Sequence, residues 1–461
     1  MKNPFPLAVV FMLIIFSGMS WAQAPASQVP ISLSEAINRA VQAHPEISIA
    51  EKDRKKSLAA LKKARSSRFP EVDFVVENRY TRTIEKFEPV KIHLTFENGI
   101  DQVFSPTKDV PEYQSEISVQ ARELLFTGGR ITSQINAARA GIRTTEQEKI
   151  TARRKVILAT IRAYWELKRA QEIFLVDSEK VEHAEDILKS AESRYAQGAI
   201  TGLEKEKAAV DFINHQGDLV QSQTARKIAE DSLWLEMGLL KVEKPGGSLY
   251  AQDEPSFYPV TYTHEELEQG IRTALSLRPE MQSITASIEA KEAEVGVARA
   301  GYYPQVDLFG RYSWIGYGRE DAGEAFEDLA RNYWMVGVNL TLNLFEGFAT
   351  ESRIEEGKAV LAGSLLEQEK MRQSIIHQVR EAYNSLIGAG ERVTIFQKNV
   401  ALAGVNLDTA KKRFALGAAT IHEVAEYNVS MAETRKKYIN ALMDYELARA
   451  ELKWARGEAL P

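Results

Sequence analysis

The chain has 461 residues, of which 44% are hydrophobic and 26% charged, with a formal net charge of -6 and no cysteine. The absence of cysteine excludes disulfides and lipid attachment at a cysteine, so stability must come from packing and assembly. Lysine and arginine are dispersed along the chain, which argues against a nucleic-acid partner.

Residues 1–22 are predicted to be a signal peptide for export. The apolar run from Leu7 to Phe16 is too short to cross a bilayer as a helix, and Ser20-Trp21-Ala22 supplies a small-residue cleavage site before Gln23. An uncleaved anchor is the alternative. No later segment has 18 consecutive apolar residues, so any membrane crossing must use strands.

The remaining chain is predicted to be a duplication, with repeats at residues 23–240 and 241–461. The same motifs recur in the same order, first at an offset of 234 residues and then at an offset of 219. The matched pairs are Pro45 with Pro279, Pro70 with Pro304, Phe126-Thr127-Gly128 with Phe345-Glu346-Gly347, and Arg194-Tyr195-Ala196-Gln197-Gly198 with Arg413-Phe414-Ala415-Leu416-Gly417.

Each repeat is predicted to contain a long antiparallel helical hairpin, at residues 131–238 and 350–456. Residues 131–196 contain no proline and carry apolar residues at heptad spacing. Gly198 and Gly417 mark the two turns, because glycine readily adopts the left-handed conformation that ends a helix. Two apolar stripes along 150–173 favour a helix with a neighbour on each side; an ordinary two-stranded coiled coil is the alternative.

Four segments alternate apolar and polar residues with period two, which predicts strands at about 70–80, 113–124, 304–314 and 333–345. Each has about the length that a tilted strand needs to cross a bilayer. Aromatic residues gather at both ends of these segments, as in the girdles of outer-membrane proteins. A soluble sandwich also explains the alternation, although it does not need two aromatic levels.

Four strands cannot close a barrel, and an open sheet edge is not tolerated in lipid. The pattern therefore predicts a mainly α fold with a β membrane part. In this fold, antiparallel coiled-coil hairpins form an α-barrel, and the four transmembrane strands of each chain contribute to a β-barrel shared between chains.

This ordered set of motifs, present twice, resembles the TolC-like outer-membrane channel family over essentially the whole mature chain. The resemblance implies a homotrimer with a twelve-stranded β-barrel in the outer membrane and a large periplasmic part. It also implies a channel that works with a periplasmic adaptor and an inner-membrane pump or ABC exporter, in multidrug efflux or type I secretion. The cargo is not readable from the sequence.

The resemblance further implies that the two hairpin tips face the inner membrane and dock the adaptor. The tip residues are Arg194, Gly198, Ala199, Arg413, Gly417 and Ala418. Carboxylates just beyond the tips would form rings at the periplasmic entrance, namely Glu204, Glu423 and Glu426. Three copies of each would favour cations and raise the carboxyl pKa values by mutual repulsion; ordinary solvated surface carboxylates are the alternative.

The chain departs from the family at Ala419, where a relative carries an arginine that holds the entrance closed. The closed state is therefore expected either to be held more weakly or to be held by another basic residue, such as Lys205 or Lys207.

The sequence shows no catalytic constellation, no cofactor motif and no metal-ligand spacing among its seven histidines. An exported enzyme is therefore disfavoured. The remaining alternative to a channel is a periplasmic structural coiled coil with a small β head.

Overall fold

The computed structural model describes residues 28–81, 92–95, 101–104, 113–239, 248–259, 262–319 and 321–460; the predicted signal peptide lies outside these ranges. The described helices are α1 (Leu33–Ala43), α2 (Pro45–Ser66), α3 (Arg130–Ala196), α4 (Gly202–Glu236), α5 (His264–Leu277), α6 (Pro279–Arg299), α7 (Ala322–Glu327), α8 (Ala349–Ala415) and α9 (Ile421–Ala455). The described strands are β1 (Gln28–Ile31), β2 (Glu71–Tyr80), β3 (Ile92–Thr95), β4 (Asp101–Phe104), β5 (Tyr113–Phe126), β6 (Ser248–Ala251), β7 (Gln305–Gly318) and β8 (Arg331–Thr341).

The two long hairpins have matching lengths. Helices α3 and α8 each contain 67 residues, and α4 and α9 each contain 35. At 1.5 Å per residue, a 67-residue helix is about 100 Å long. The predicted mainly helical fold with long hairpins and four sheet-forming strands is confirmed. None of the helices that the structure describes is long and apolar enough to cross a membrane.

The chain divides into two compact units. One comprises His44–Leu158, Val260–Gly388 and Ala448–Pro461, and the other comprises Met1–Ala43, Ala159–Pro259 and Ala389–Leu447. Each unit contains residues from both predicted repeats. The predicted repeats therefore describe the order of the elements along the chain and do not coincide with the two compact units.

The first of these units contains an antiparallel sheet with strand order β2-β5-β7-β8. Its register lines up Phe74, Val119, Tyr312 and Trp334 in one row across all four strands. Since neighbours in a row point to the same side of a sheet, most apolar residues of the four strands share one face. Most polar residues lie on the other face, where Arg122 makes an ion pair of 3.1 Å with Asp307; Val75, Phe309 and Met335 also lie on this face.

Strand β8 ends at Thr341, four residues before the predicted end at 345. Its partner β7 begins at Gln305, which pairs with Thr341, and the residue before Gln305 is a proline. Proline has no N–H to donate to a ladder, so the pairing stops there although the apolar alternation continues through Leu344.

The same unit fixes the end of α9. The Arg154 guanidinium donates hydrogen bonds of 2.8 to 3.0 Å to the carbonyl oxygens of Trp454, Gly457 and Glu458. Trp454 belongs to the last turn of α9, and Gly457 and Glu458 lie just beyond the helix, so a cation at this position stabilises the helix end.

The other unit contains the short parallel pair β1–β6. The outer edge of β6 is bonded to helix side chains. The Gln171 side chain accepts from the amide of Ala251 and donates to the carbonyl of Leu249, while Glu230 accepts from the amide of Leu249. Tyr164, which is fully buried, donates a 2.7 Å hydrogen bond to Asp253. The segment that follows the first hairpin is thereby attached to α3 and α4.

Candidate functional site at the hairpin tips

The first hairpin turns between α3 and α4. Gly198 has φ of +69°, so the predicted left-handed glycine is confirmed. The amide of Ala199 donates to the carbonyl of Arg194 at 2.9 Å, and the amide of Gly198 donates to the carbonyl of Tyr195 at 2.9 Å. These two bonds satisfy carbonyls that the end of α3 would leave free, and they form a Schellman motif.

The second hairpin repeats this geometry between α8 and α9. Gly417 has φ of +72°, as predicted. The amide of Ala418 donates to the carbonyl of Arg413 at 2.9 Å, and the amide of Gly417 donates to the carbonyl of Phe414 at 3.0 Å. The Arg413 guanidinium also donates to the carbonyl oxygen of Ala418 at 3.0 Å. Both tips therefore expose a small residue on a turn that is fixed by backbone hydrogen bonds.

Each return helix begins with a capping box. The Thr201 hydroxyl accepts from the amide of Glu204, whose carboxylate accepts from the amide of Thr201 at 2.8 Å. Thr420 and Glu423 make the same reciprocal pair, with bonds of 3.0 and 3.2 Å. Threonine followed three residues later by glutamate is a readable signal of a helix start, and the sequence interpretation missed it.

Capping changes the expected electrostatics of Glu204. The pKa of its carboxyl is lowered, first because it accepts a hydrogen bond from the Thr201 amide and second because it bonds the Thr201 hydroxyl. Within one chain the pKa of Glu204 is thus lowered, since a bond to the charged form favours ionisation. The rise in pKa expected for a ring of glutamates depends on repulsion between three copies and stays a prediction. Glu426 lies one helical turn beyond Glu423 and is exposed.

Two contacts join the tip of one hairpin to the tip of the other. The Arg194 guanidinium of α3 lies 4.6 Å from the centre of the Phe414 ring of α8, a cation–π contact. The Lys207 ammonium of α4 lies 2.6 Å from Nε2 of His422 on α9. Lys205, the other basic candidate, contacts Tyr195 of its own hairpin. Lys207 is thus the candidate that reaches the second hairpin.

Behind the tips, a groove of about 270 Å³ lies between α3, α4 and α9. Both apolar and charged or titratable side chains line this groove. The charged or titratable ones include Lys180, His183, Lys207, His215, His422 and Glu426. Within the described residues, no three His, Asp or Glu side chains are placed to hold a metal ion.

An ion pair connects the helices along this groove. The buried Lys180 donates a 2.9 Å hydrogen bond to Asp218, and this bond lowers the pKa of the Asp218 carboxyl. Glu433 of α9 lies 3.8 Å from the same ammonium. A buried ammonium that faces two carboxylates is adequately paired. The two hairpins are therefore connected both at their tips and farther along their length.

Long paired hairpins, a sheet with one apolar face and two matched polar tips are the features expected of an outer-membrane efflux protein. The model of the outer membrane efflux protein family matches residues 36–239 and 270–458, and the chain belongs to this family. The resemblance noted from the motifs is thus confirmed.

Known relatives match nearly the whole chain. It is similar to the outer membrane protein TolC of Escherichia coli strain K12, with 21% identity over 99% of this chain and 87% of the relative. TolC of Vibrio cholerae serotype O1 is 23% identical over 99% of this chain and 96% of the relative. The crystal structure of the Campylobacter jejuni CmeC outer membrane channel has the same fold, with a TM-score of 0.75, 16% identity and coverage of 99% and 94%. The chain is accordingly an outer-membrane protein with a large periplasmic helical part.

Proposed function

We propose that three copies of this chain form a passive conduit across the outer membrane, as the last component of a tripartite efflux pump or a type I secretion system. One observation carries the proposal. The described sheet has an apolar face built from all four strands, and β2 and β8 each have a strand partner on one side only. A sheet edge left open in lipid is unfavourable, so β2 of one copy is expected to pair with β8 of the next.

Three copies would place twelve strands in one closed barrel, the architecture implied by the family resemblance. Beneath it, the long hairpins would continue the conduit into the periplasm. The tips would then meet the adaptor, with Gly198-Ala199 and Gly417-Ala418 leaving room for a partner helix end. The inner-membrane pump, rather than this chain, would select the cargo.

We also propose that Glu204, Glu423 and Glu426 line the entrance, and that the contact between Lys207 and His422 replaces the missing arginine at Ala419 as the link that holds the entrance closed. The support is positional. The first and second glutamates occupy equivalent capping positions, 219 residues apart, and the lysine contact lies beside them.

Engineered cysteines test the shared barrel without background, because the chain has none. A cysteine at Phe74 on β2 is combined with single cysteines scanned along β8 from Asn332 to Leu340. Oxidation in outer membranes should produce a covalent ladder that stops at the trimer for one register of positions. Each cysteine alone serves as the control. A ladder that passes the trimer, or a monodisperse monomer with no cross-link at any position, would refute the architecture.

A further inference from the structure

The contact between Lys207 and His422 joins an ammonium group to an imidazole ring. The two nitrogens, Nζ of Lys207 and Nε2 of His422, lie 2.6 Å apart. An ammonium group has three N–H donors and no acceptor, so Nε2 must accept, and the proton of a neutral ring must be on Nδ1. Once the imidazole is protonated, both of its nitrogens are donors. The hydrogen bond therefore exists only while His422 is neutral.

This choice of partner makes the contact sensitive to mild acid. Lys205, two residues away, pairs with the carboxylate of Glu206 at 3.0 Å, whereas Lys207 makes no ion pair with any residue that the structure describes. A carboxylate ordinarily stays ionised down to about pH 4, but a histidine side chain ordinarily changes charge near pH 6.5. A lysine bonded to an imidazole thus loses its partner at a pH at which a lysine bonded to a carboxylate does not.

Farther from the tips, carboxylates are the partners. Lys180 of α3 donates to Asp218 at 2.9 Å, and Lys436 of α9 lies 2.6 Å from Asp177 of α3. The bond from Lys180 lowers the pKa of the Asp218 carboxyl, so this group stays ionised in mildly acidic solution. The contacts along the hairpins are therefore expected to survive conditions that break the contact at the tips.

The groove of about 270 Å³ behind the tips surrounds His422 with other titratable groups. They are Lys180 and His183 from α3, Lys207, Asp211 and His215 from α4, and Glu426 from α9 itself. At neutral pH the two ammonium groups are balanced by the two carboxylates. Protonation of the three histidines would leave an excess of positive charge in a narrow space, and like charges repel. Acid therefore acts on the whole groove in the direction that separates its walls.

His215 adds to this effect. Its Nδ1 is buried without a hydrogen-bond partner and lies 3.8 Å from Asp218. Burial lowers the pKa of the His215 ring, and the Lys180 ammonium lowers it further. The packed groove thus binds fewer protons than an opened one in which the ring is solvated. By linkage, a fall in pH below the ordinary histidine value near 6.5 favours the opened groove.

We propose that this groove is an acid sensor, in which protonation of His422 breaks the contact with Lys207 and releases the two hairpin tips from each other. The inference rests on the proposed function, because it takes this contact as the link that holds the entrance closed. A histidine that titrates normally in the released state and not in the linked state favours release by about tenfold between about pH 7.5 and about pH 5.5. The contacts farther along keep the hairpins together.

The test measures the separation of the two tips within one chain. Gln197→Cys on the first tip and Leu416→Cys on the second each carry a nitroxide, because both positions are exposed and the chain has no cysteine of its own. Labelled copies are produced with an excess of unlabelled ones, and the intact assembly is studied in detergent by pulsed electron paramagnetic resonance. We expect the population with the longer distance to grow by about tenfold over the pH interval above.

Two histidine variants locate the sensor. His422→Gln keeps an acceptor for Lys207 that does not titrate, so its tips should stay together at both pH values. His183→Gln is the matched control, since His183 lines the same groove and is not bonded to Lys207; it should respond as the unmodified protein does. A full response in His422→Gln, or its loss in His183→Gln, would show that His422 is not the sensor.

Lys207→Met in the same labelled chain separates this inference from the proposed function. If Lys207→Met parts the tips at both pH values and acid leaves the unmodified protein unchanged, the link stands and the acid sensor is refuted. If neither change alters the distance, the contact is not the link, and both proposals about it fail. Tips that approach each other in acid would mean that protonation of Glu204, Glu423 and Glu426 dominates, which also overturns the sensor. The shared barrel is tested independently by the engineered cross-links.

Discussion

Replacing Gly417 with alanine is expected to weaken the second hairpin tip. A β-carbon at Gly417 would meet no atom within 4 Å, so the substitution creates no clash. The cost comes from the left-handed backbone, with φ of +72°, which alanine tolerates less well by about 1–2 kcal/mol. That free energy corresponds to about a 5- to 30-fold increase in the population of the opened tip.

Gly404 provides the matched control. It lies inside α8, and its β-carbon would also meet no atom within 4 Å. Alanine is favoured over glycine in a helix interior by about 1 kcal/mol, so Gly404→Ala should stabilise its segment. The same chemical change in equally open space is thus expected to have opposite signs at the two positions.

Hydrogen exchange measured by mass spectrometry on the intact assembly reads both effects. In Gly417→Ala, exchange of the Ala418 amide, which bonds the Arg413 carbonyl at 2.9 Å, should accelerate by the factor above. In Gly404→Ala, exchange around residue 404 should slow. If the two variants change local exchange in the same direction, backbone conformation does not decide the stability of the tip.

Three further predictions concern the same region. In planar bilayers, the double variant Glu423→Gln, Glu426→Gln should lose cation preference and become less sensitive to divalent block; unchanged values would mean that both are ordinary surface charges. Capping lowers the pKa of the Glu204 carboxyl in the folded protein. The contribution of this carboxylate to the free energy of unfolding is therefore complete at pH values above its unfolded-state pKa of 4.5, and it is lost as the pH falls through the lower pKa of the folded protein. Tip exchange should accelerate over that acidic range in the unmodified protein, whereas Glu204→Gln or Thr201→Ala should flatten this pH dependence. Lys207→Met should increase single-channel conductance by freeing one hairpin from the other, and a conductance equal to that of the unmodified channel would exclude this residue as the link.

The sequence predicted those features that depend on neighbouring residues. Gly198 and Gly417 were recognisable because each follows a long periodic segment and no other residue type adopts the left-handed turn as easily. The strand faces were likewise predictable, since period-two alternation is a property of the strand itself. The end of β8 was not, because it is set by the point at which the partner β7 begins.

Contacts between residues that are far apart in the sequence could not be predicted from periodicity or motif spacing. Lys207 and His422 lie 215 residues apart, and neither belongs to a periodic or spaced motif that would indicate their proximity. The capping role of Glu204 could be predicted from Thr201, which lies three residues earlier, whereas its interpretation as an entrance carboxylate considered only its charge. Glu204 can both cap α4 and line an entrance, since a carboxylate that caps a helix still presents its charge to solvent.

The side chain of Gln171 makes hydrogen bonds that a neighbouring strand would otherwise make to the outer edge of β6. One amide side chain accepts from Ala251 and donates to Leu249, which is the pair of bonds that another strand would make. A two-stranded sheet is marginal by itself, and an unpaired edge invites strands from other polypeptides. Because Gln171 occupies part of this edge, we expect it to limit pairing of the edge with strands of other, unfolded chains. In Gln171→Leu, a change that keeps the size of the side chain, Glu230 would still bond the Leu249 amide, but the Ala251 amide and the Leu249 carbonyl of this edge would be left open.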